Sequence, residues 1–220
     1  MIIYAIIGAG GFGREVLPLA REHVRVATRD ECRIVFVDDG SKEDHINGIE
    51  VMTTEAFKTA PAVDKFFNIA IGNSKVREKI AVDMISTGIK PFAITSINSV
   101  VLDENTIGDG VILCPFTTIT SNAKIGKFFH ANIYSYVAHD CVIGDFVTFA
   151  PGVKCNGNVI IEDHAYIGTG AIIKQGTLEK PIVIGEGAVV GMGAVVTKSV
   201  PAGSVMVGNP AKPLRKGLGS

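Results

Sequence analysis

The chain has 220 residues, a formal net charge of −1 and 47% hydrophobic residues. This length is enough for one large domain or two small ones with apolar cores, and the balanced charge gives no broad basic surface for nucleic acid. The longest apolar runs are far shorter than a membrane span, so no membrane insertion is expected.

Residues 1–92 alternate strand and helix patterns, which predicts a first domain with a small Rossmann-like parallel α/β sheet. "IIYAII" has the pattern of a buried strand and enters the glycine turn "GAGGFG", unlike a signal peptide. "CRIVFVDD" and "FFNIAIGN" are further strands, and "REVLPLAREH" has helical spacing. "SKVREKIAVDMISTG" is a second helix, with Ser74 as the predicted N-cap and Gly88 at C′.

The first turn carries a phosphate-binding motif. Gly8, Gly10 and Gly13 match GxGxxG between a strand and a helix, and Gly11 within the motif is a further candidate. Such glycines let backbone N–H groups and the helix N-terminus approach a phosphate, although an ordinary βα turn is the alternative. Asp38 and Asp39 end the next strand, where a ribose-binding acid would lie. About ninety residues are too few for both halves of a dinucleotide-binding domain, which favours a mononucleotide-linked ligand.

Two polar residues follow the third strand and could extend this site. Asn73 could add a contact at the same sheet edge. Arg77 could neutralise phosphate, with a solvated helix arginine as an equal alternative.

From about residue 93 the apolar period changes to six. The positions are apolar without a break from Val101 onward: Val101, Ile107, Leu113, Ile119, Ile125, Ala131, Val137, Ile143, Phe149, Cys155, Ile161, Ile167 and Ile173. An α-helix would need a period of 3.6 and a simple strand a period of two, so this pattern predicts a parallel β-helix over 93–220 with a C-terminal tail. Five extra residues at "LEKPIV" break the register once, as a loop projecting from one corner.

The repeats "IGDGVI", "IGTGAI", "IGEGAV" and "VGMGAV", with the ending "VPAGSVMVGNPAK", resemble those of the left-handed β-helix acyltransferases. Joined to the "GAGGFG" unit, the whole chain resembles the PglD/NeuD branch of sugar O- and N-acyltransferases that build bacterial surface glycans. "FVDD", "IAIGNSKVREKI" and "AHDCVIGDF" are closest to PglD-like N-acetyltransferases, whose acceptors are nucleotide-linked 4-amino-4,6-dideoxy sugars.

The resemblance implies a left-handed β-helix, a homotrimer, acetyl-CoA as co-substrate, and active sites between neighbouring subunits. It also implies that the first domain holds the nucleotide of the acceptor, with UDP favoured. Relatives can carry a polar side chain where this chain has Phe12, so pyrophosphate contacts there must come from the backbone or elsewhere.

The spacing singles out His139. If three hexads close a coil, then Ser121, His139, Gly157 and Gln175 stack at one corner, with coils about 4.8 Å apart. A turn position points His139 outward, and the N–H of Gly157 could stabilise an oxyanion. An imidazole, with an unperturbed pKa of about 6.5, can take a proton from a sugar amine, and Asp140 could orient it. A solvated turn histidine is the alternative.

The remaining site candidates come from position relative to the family. Gly157, Thr169 and Met192 are expected to contact acetyl-CoA through the backbone, and Lys174, Lys198 and Lys212 could meet its phosphates or be ordinary surface lysines. Some relatives have a second histidine nine residues beyond the catalytic one, where this chain has Thr148.

The cysteines point to direct transfer without an acyl-enzyme. Cys141 and Cys155 occupy inward positions of the repeat, which makes them poor nucleophiles. No CxxC pair or three histidines at metal-ligand spacing occur in the sequence, so we expect no metal, free thiols and a cytoplasmic protein.

The leading hypothesis is therefore an acetyl-CoA-dependent N-acetyltransferase for a nucleotide-linked 4-amino sugar. The alternatives are a sialic-acid-type sugar O-acetyltransferase, a non-catalytic β-helix scaffold, and a sugar-nucleotide-binding regulator with a decayed transferase site.

Overall fold

A computed structural model describes residues 1–27 and 31–214, so the last six residues of the predicted C-terminal tail lie outside the described part. The described chain forms two compact units. The first contains residues 1–96 and 109–112, and the second contains 97–108 and the residues from 113 on.

The first unit is the predicted α/β domain. Its elements are β1 (Ile2–Ile7), α1 (Gly11–Ala27), β2 (Cys32–Val37), β3 (His45–Ile46), β4 (Ile49–Met52), α2 (Thr54–Thr59), β5 (Asp64–Ile69), α3 (Ser74–Ser86), β6 (Lys90–Pro91) and β7 (Ile94–Thr95). Six strands form one sheet in the order β3-β4-β2-β1-β5-β6. Strand β1 lies parallel between β2 and β5, so the three predicted strands form the centre of the sheet and are buried at their carboxyl ends.

Local signals in this unit were predicted only in part. Helix α3 begins at Ser74, but its N-cap is Asn73, whose Oδ1 accepts the N–H groups of Lys75 and Val76 at 3.1 Å each. The predicted cap at Ser74 is therefore wrong by one residue, because the amide side chain of Asn73 already meets those donors. Gly88 has a φ of 79°, as the predicted C′ position requires. Helix α2 and the β3–β4 hairpin were not predicted.

Asn68 ties β5 to residues 109–112 of the same unit. Its side chain is wholly buried, and its Nδ2 donates to the carbonyls of Phe92 at 2.6 Å, Gly110 at 3.3 Å and Val111 at 3.4 Å. Buried carbonyls need such donors, so this asparagine explains why a segment from the repeat region belongs to the first unit.

The second unit is a left-handed parallel β-helix built from strands of two or three residues. One face contains β10 (Ile112–Leu113), β13 (His130–Ala131), β16 (Thr148–Phe149), β19 (Tyr166–Ile167), β22 (Val189–Val190) and β24 (Val205–Val207), with β25 (Lys212–Pro213) antiparallel to β24. The second contains β8 (Val100–Val101), β11 (Thr118–Ile119), β14 (Tyr136–Val137), β17 (Lys154–Cys155), β20 (Ile172–Ile173) and β23 (Val195–Val196). The third contains β9 (Thr106–Ile107), β12 (Lys124–Ile125), β15 (Val142–Ile143), β18 (Val159–Ile161) and β21 (Ile182–Ile184).

The register of the strands confirms the predicted coil of three hexads. Thr118 pairs with Tyr136, and Lys124 pairs with Val142, so each residue meets its partner three hexads further along the chain. The apolar row points inward: Ile119, Val137 and Cys155 are at most 1% exposed. Beyond the insertion, Tyr166 pairs with Val189, so the extra residues are absorbed in one loop and the stacking resumes.

In the part of the chain that the structure describes, no helix has both the length and the apolar character needed to cross a bilayer.

Candidate active site

The predicted column of turn residues exists at one corner of the β-helix. The backbone N–H of Asp140 donates to the carbonyl of Ser121 at 3.1 Å, and that of Asn158 donates to His139 at 3.1 Å. The N–H of Gly176 continues the ladder to Gly157 at 3.0 Å. We call this column, Ser121–His139–Gly157–Gln175, the histidine corner.

His139 is paired with its neighbour in the chain. Its Nδ1 lies 2.7 Å from Oδ2 of Asp140, and the two side chains are 48% and 37% exposed. Asp140 has a φ of 58°, a left-handed turn conformation. A carboxylate only accepts hydrogen bonds, so the neutral imidazole that fits this contact has its proton on Nδ1 and its lone pair on Nε2.

Gly157 lies directly beneath the imidazole. A Cβ atom built on Gly157 would lie 2.5 Å from both Cε1 and Nε2 of His139. Any side chain there would displace the ring, so glycine is required for this arrangement. No acceptor occurs for the N–H of Gly157 within the described ranges, so a base and a hydrogen-bond donor stand side by side.

A polar pair fixes the segment just before Gly157, which the sequence did not indicate. Tyr136 donates through its hydroxyl to Oδ1 of Asn156 at 2.8 Å, and Nδ2 of Asn156 donates to the carbonyl of Ile173 at 2.7 Å. Three successive coils are thereby joined beside the histidine corner.

The two cysteines near this corner face the interior, as predicted. Cys141 and Cys155 are both 0% exposed, and their sulfur atoms are 4.0 Å apart. The hydrogen bond with Cys141, together with burial, raises the pKa of the Cys155 thiol well above its ordinary value. Neither sulfur is exposed to a ligand at the surface.

A basic cavity of about 520 Å³ adjoins the histidine corner one coil beyond Gly157. Lys174 and Lys198, both predicted for phosphate binding, line it with Lys180, Thr177 and Ser199. Lys180 was missed, although counting three hexads on from Gly157 places the insertion that contains it at this same corner.

The other predicted acetyl-CoA contacts do not join this cluster within one chain. Thr169 and Met192 stack at a different corner, where the N–H of Gly193 donates to the carbonyl of Thr169 at 2.8 Å. Both are exposed, Met192 at 82%. Lys212 is exposed on β25, away from the lining of the basic cavity. Thr148 is on the flat strand β16, paired in register with His130, and not at the histidine corner.

The first unit has its own cavity, of about 790 Å³, at the carboxyl edge of the sheet. Gly8, Gly10, Asp38 and Asp39 line it, as predicted, so the glycine turn and the acidic strand end do meet. We call it the nucleotide pocket, after the ligand that the sequence predicts. Asp38 accepts the N–H of Ala9 at 2.9 Å through Oδ2 and that of Gly40 at 3.0 Å through Oδ1.

The second acid, Asp39, accepts hydrogen bonds from the first residue of helix α2. Asp39 accepts the backbone N–H of Thr54 at 2.7 Å and its hydroxyl at 2.8 Å. Each carboxylate oxygen can accept a further hydrogen bond, so both acids could still receive a ribose hydroxyl.

Glycines of the motif also have structural roles. Gly8 has a φ of 99°, which favours glycine. A side chain on Gly13 would run into the carbonyl oxygen of Gly8. Gly11 is the first residue of α1, whose first N–H groups have no intrahelical acceptor.

Arg77 differs from its predicted role. It is 0% exposed, and its Nη1 donates to the carbonyls of Ile71 at 2.7 Å and Gly72 at 3.3 Å. A side chain used for these interior contacts is neither a solvated surface arginine nor a group that reaches a ligand phosphate. Asn73 serves as the N-cap of α3 and does not line the pocket.

Sequence reasoning also missed one wall of the nucleotide pocket. Val76, Lys79, Ile80 and Asp83 line it from one face of α3. Their spacing of three, four and seven residues is that of a single helical face, which was available from the sequence.

The residues that the structure describes contain no group of three His, Cys, Asp or Glu side chains placed to hold a metal ion.

Comparison with known families matches both parts of the chain. Residues 4–84 match the PglD N-terminal domain, and residues 158–198 match the hexapeptide repeat of succinyl-transferase. The chain is 52% identical over 216 residues to GDP-perosamine N-acetyltransferase of Escherichia coli O157:H7, covering 98% of each chain.

Two solved structures are similar over nearly their whole length. WeeI from Acinetobacter baumannii AYE is 58% identical with a TM-score of 0.93, over 97% of this chain and 100% of that one. The acetyltransferase domain of PglB from Neisseria gonorrhoeae FA1090, in complex with acetyl coenzyme A, is 31% identical with a TM-score of 0.84, over 96% and 98%.

Proposed function

The chain belongs to the PglD-like branch of the hexapeptide-repeat sugar acyltransferases. We propose that it transfers an acetyl group from acetyl-CoA to the 4-amino group of a GDP-linked 4-amino-4,6-dideoxy sugar. We further propose that the product is used to build a bacterial surface glycan. Membership establishes an acetyl-CoA-dependent sugar N-acetyltransferase. The observation that carries the proposed chemistry is the imidazole of His139, held by Asp140 at 2.7 Å directly over Gly157.

His139 acts as general base in this proposal. Its Nε2 accepts a proton from the sugar amine as the amine nitrogen attacks the acetyl carbonyl, and Asp140 stabilises the imidazolium that forms. The N–H of Gly157 donates to the oxyanion. A C–N bond forms, the C–S bond breaks, and the proton on His139 passes to the departing thiolate. The buried position of both nearby cysteines supports attack without an acyl-enzyme.

Acetyl-CoA binding is proposed at two corners of the β-helix. Lys174, Lys180 and Lys198 surround a cavity next to Gly157 and would neutralise its phosphates. Thr169 and Met192 are exposed at a different corner, and in this proposal a neighbouring β-helix brings them to the same molecule. This division supports a homotrimer with active sites between subunits, in which Lys212 could add a further phosphate contact from the exposed β25.

The nucleotide is proposed to be GDP and to bind in the nucleotide pocket. The relative at 52% identity is named for GDP-perosamine, which favours guanine over the uracil that the family resemblance implies. The pocket supports this choice because Lys79 and Asp83 both line it; Oδ2 of Asp83 already pairs with Lys58 at 2.6 Å, and each carboxylate oxygen can accept a further hydrogen bond. A carboxylate can accept the N1 and N2 hydrogens of guanine, and an ammonium group can donate to its O6.

A substrate panel tests the proposal. We expect release of free thiol from acetyl-CoA with a GDP-linked 4-amino-4,6-dideoxy sugar, and slower release with the UDP- and dTDP-linked sugars by roughly tenfold or more. The measurement is initial rate by a thiol-reactive dye, with each 4-hydroxy sugar nucleotide as the matched blank. Equal rates with all three nucleotides would contradict the assignment of guanine. A sialic acid is included in the panel, and turnover with it alone would refute the proposed function.

A further inference from the structure

Arg77 is a buried cation in the first unit, beside the nucleotide pocket. Its side chain is 0% exposed, and burial lowers the pKa of its guanidinium to about 10, so it remains protonated at neutral pH. Burying a charge is costly unless its hydrogen-bonding groups find partners. The groups that accept hydrogen bonds from Arg77 therefore show which part of the fold this buried charge stabilises.

Two of those groups are carbonyls of the loop between β5 and α3, residues 70–73. Nη1 of Arg77 donates to the oxygen atoms of Ile71 and Gly72, at 2.7 and 3.3 Å. These two bonds fix the orientation of the peptide groups that follow Ile71 and Gly72, just before α3 begins at Ser74.

The same loop forms part of the pocket wall. Ala70 and Ile71 line the nucleotide pocket. A Cβ atom on Gly8 would lie 2.9 Å from Cγ1 of Ile71 and 3.2 Å from the oxygen of Ala70, so the glycine turn packs closely against this loop. Phe12, within that turn, has no side-chain donor for a phosphate. Donors for an anionic ligand must therefore come from other parts of the pocket, where the backbone of Gly8 and Gly10 and the side chain of Lys79 lie.

We propose that Arg77 is a positioning residue for sugar-nucleotide binding: its hydrogen bonds to the carbonyls of Ile71 and Gly72 hold in place the loop that lines the nucleotide pocket and packs against Gly8. The inference rests on the proposed function, because it takes the 790 Å³ pocket as the nucleotide site. Arg77 itself does not contact the ligand. Its effect is to fix the orientation of two peptide groups and the loop that packs on Gly8.

The test compares two ligands on one variant. Calorimetric titration of Arg77→Met with GDP alone should give a dissociation constant raised by roughly tenfold or more, because a displaced pocket wall no longer holds the ligand in its bound position. Titration of the same sample with CoA should give the wild-type value, since its proposed site is in the other unit. Arg33→Met is the matched control, because Arg33 pairs with Glu50 at 2.9 Å in the same unit and does not line the pocket.

Each outcome decides the inference. Wild-type GDP affinity in a folded Arg77→Met variant would overturn it, and so would an equal loss of GDP and CoA binding, which marks a merely structural role. If Arg77→Met does not fold, Arg77→Lys keeps the charge without the planar fork, and it should bind GDP more weakly and CoA normally; wild-type GDP binding there would overturn the inference. Wild-type protein that binds none of GDP, UDP and dTDP would instead refute the proposed nucleotide site before any variant is made.

Discussion

Replacing His139 with alanine is expected to lower kcat by roughly 10²–10⁴ while leaving the KM for both substrates close to wild type. The side chain is exposed and contributes little to the core, so the loss should come from removing the base and not from unfolding. Steady-state thiol release with saturating GDP-linked amino sugar measures kcat, and a thermal melt confirms the fold.

His45→Ala is a matched control for this variant. His45 is an exposed histidine of the first unit and does not line the nucleotide pocket, so its loss should leave kcat unchanged. Near-normal turnover by His139→Ala would return His139 to an exposed turn residue and would leave the proposed mechanism without a base.

Gly157→Ala is expected to lower kcat by roughly 10²–10³, the usual cost of a disturbed oxyanion donor. The new methyl group would lie 2.5 Å from Cε1 and Nε2 of His139, so the exposed ring must swing away and the donor is covered. Because the ring can move into solvent, the melting temperature should change little. The measurement is kcat together with a thermal melt.

A double variant separates displacement of the base from a general disturbance. If Gly157→Ala acts at the same site, then His139→Ala combined with Gly157→Ala should be little slower than His139→Ala alone, since groups that act as a unit are not additive. Fully multiplicative losses would indicate independent effects, and an active Gly157→Ala enzyme would contradict the proposed role of this corner.

The repeat could be predicted in detail because a β-helix leaves little freedom. A period of six, once it is tied to a coil of three hexads, places His139, Gly157 and the insertion at one corner, and the strand register confirms that coil. The sequence could not reveal that the imidazole covers Gly157 or that Nδ1 meets Asp140, because side-chain rotamers depend on the turn geometry. Lys180 was within reach of the same count.

The α/β unit was predictable in outline and less so in its polar details. Strand and helix patterns predicted the three central strands and two of the helices. They could not show that Arg77 is turned inward to loop carbonyls, because a helix arginine has the same sequence signature whether it is solvated or buried. Thr169 and Met192 were chosen by family position, and the coil geometry of one chain places them at another corner from His139.

The structure of the reaction product shows most directly whether the protein acetylates the C4 nitrogen of a GDP-linked amino sugar. Wild-type protein is incubated with acetyl-CoA and a GDP-linked 4-amino-4,6-dideoxy sugar, and the purified product is examined by mass spectrometry and proton NMR. The proposed reaction adds one acetyl group, present as an amide on the C4 nitrogen. An acetyl ester on a ring hydroxyl, or recovery of the unmodified sugar, would contradict it.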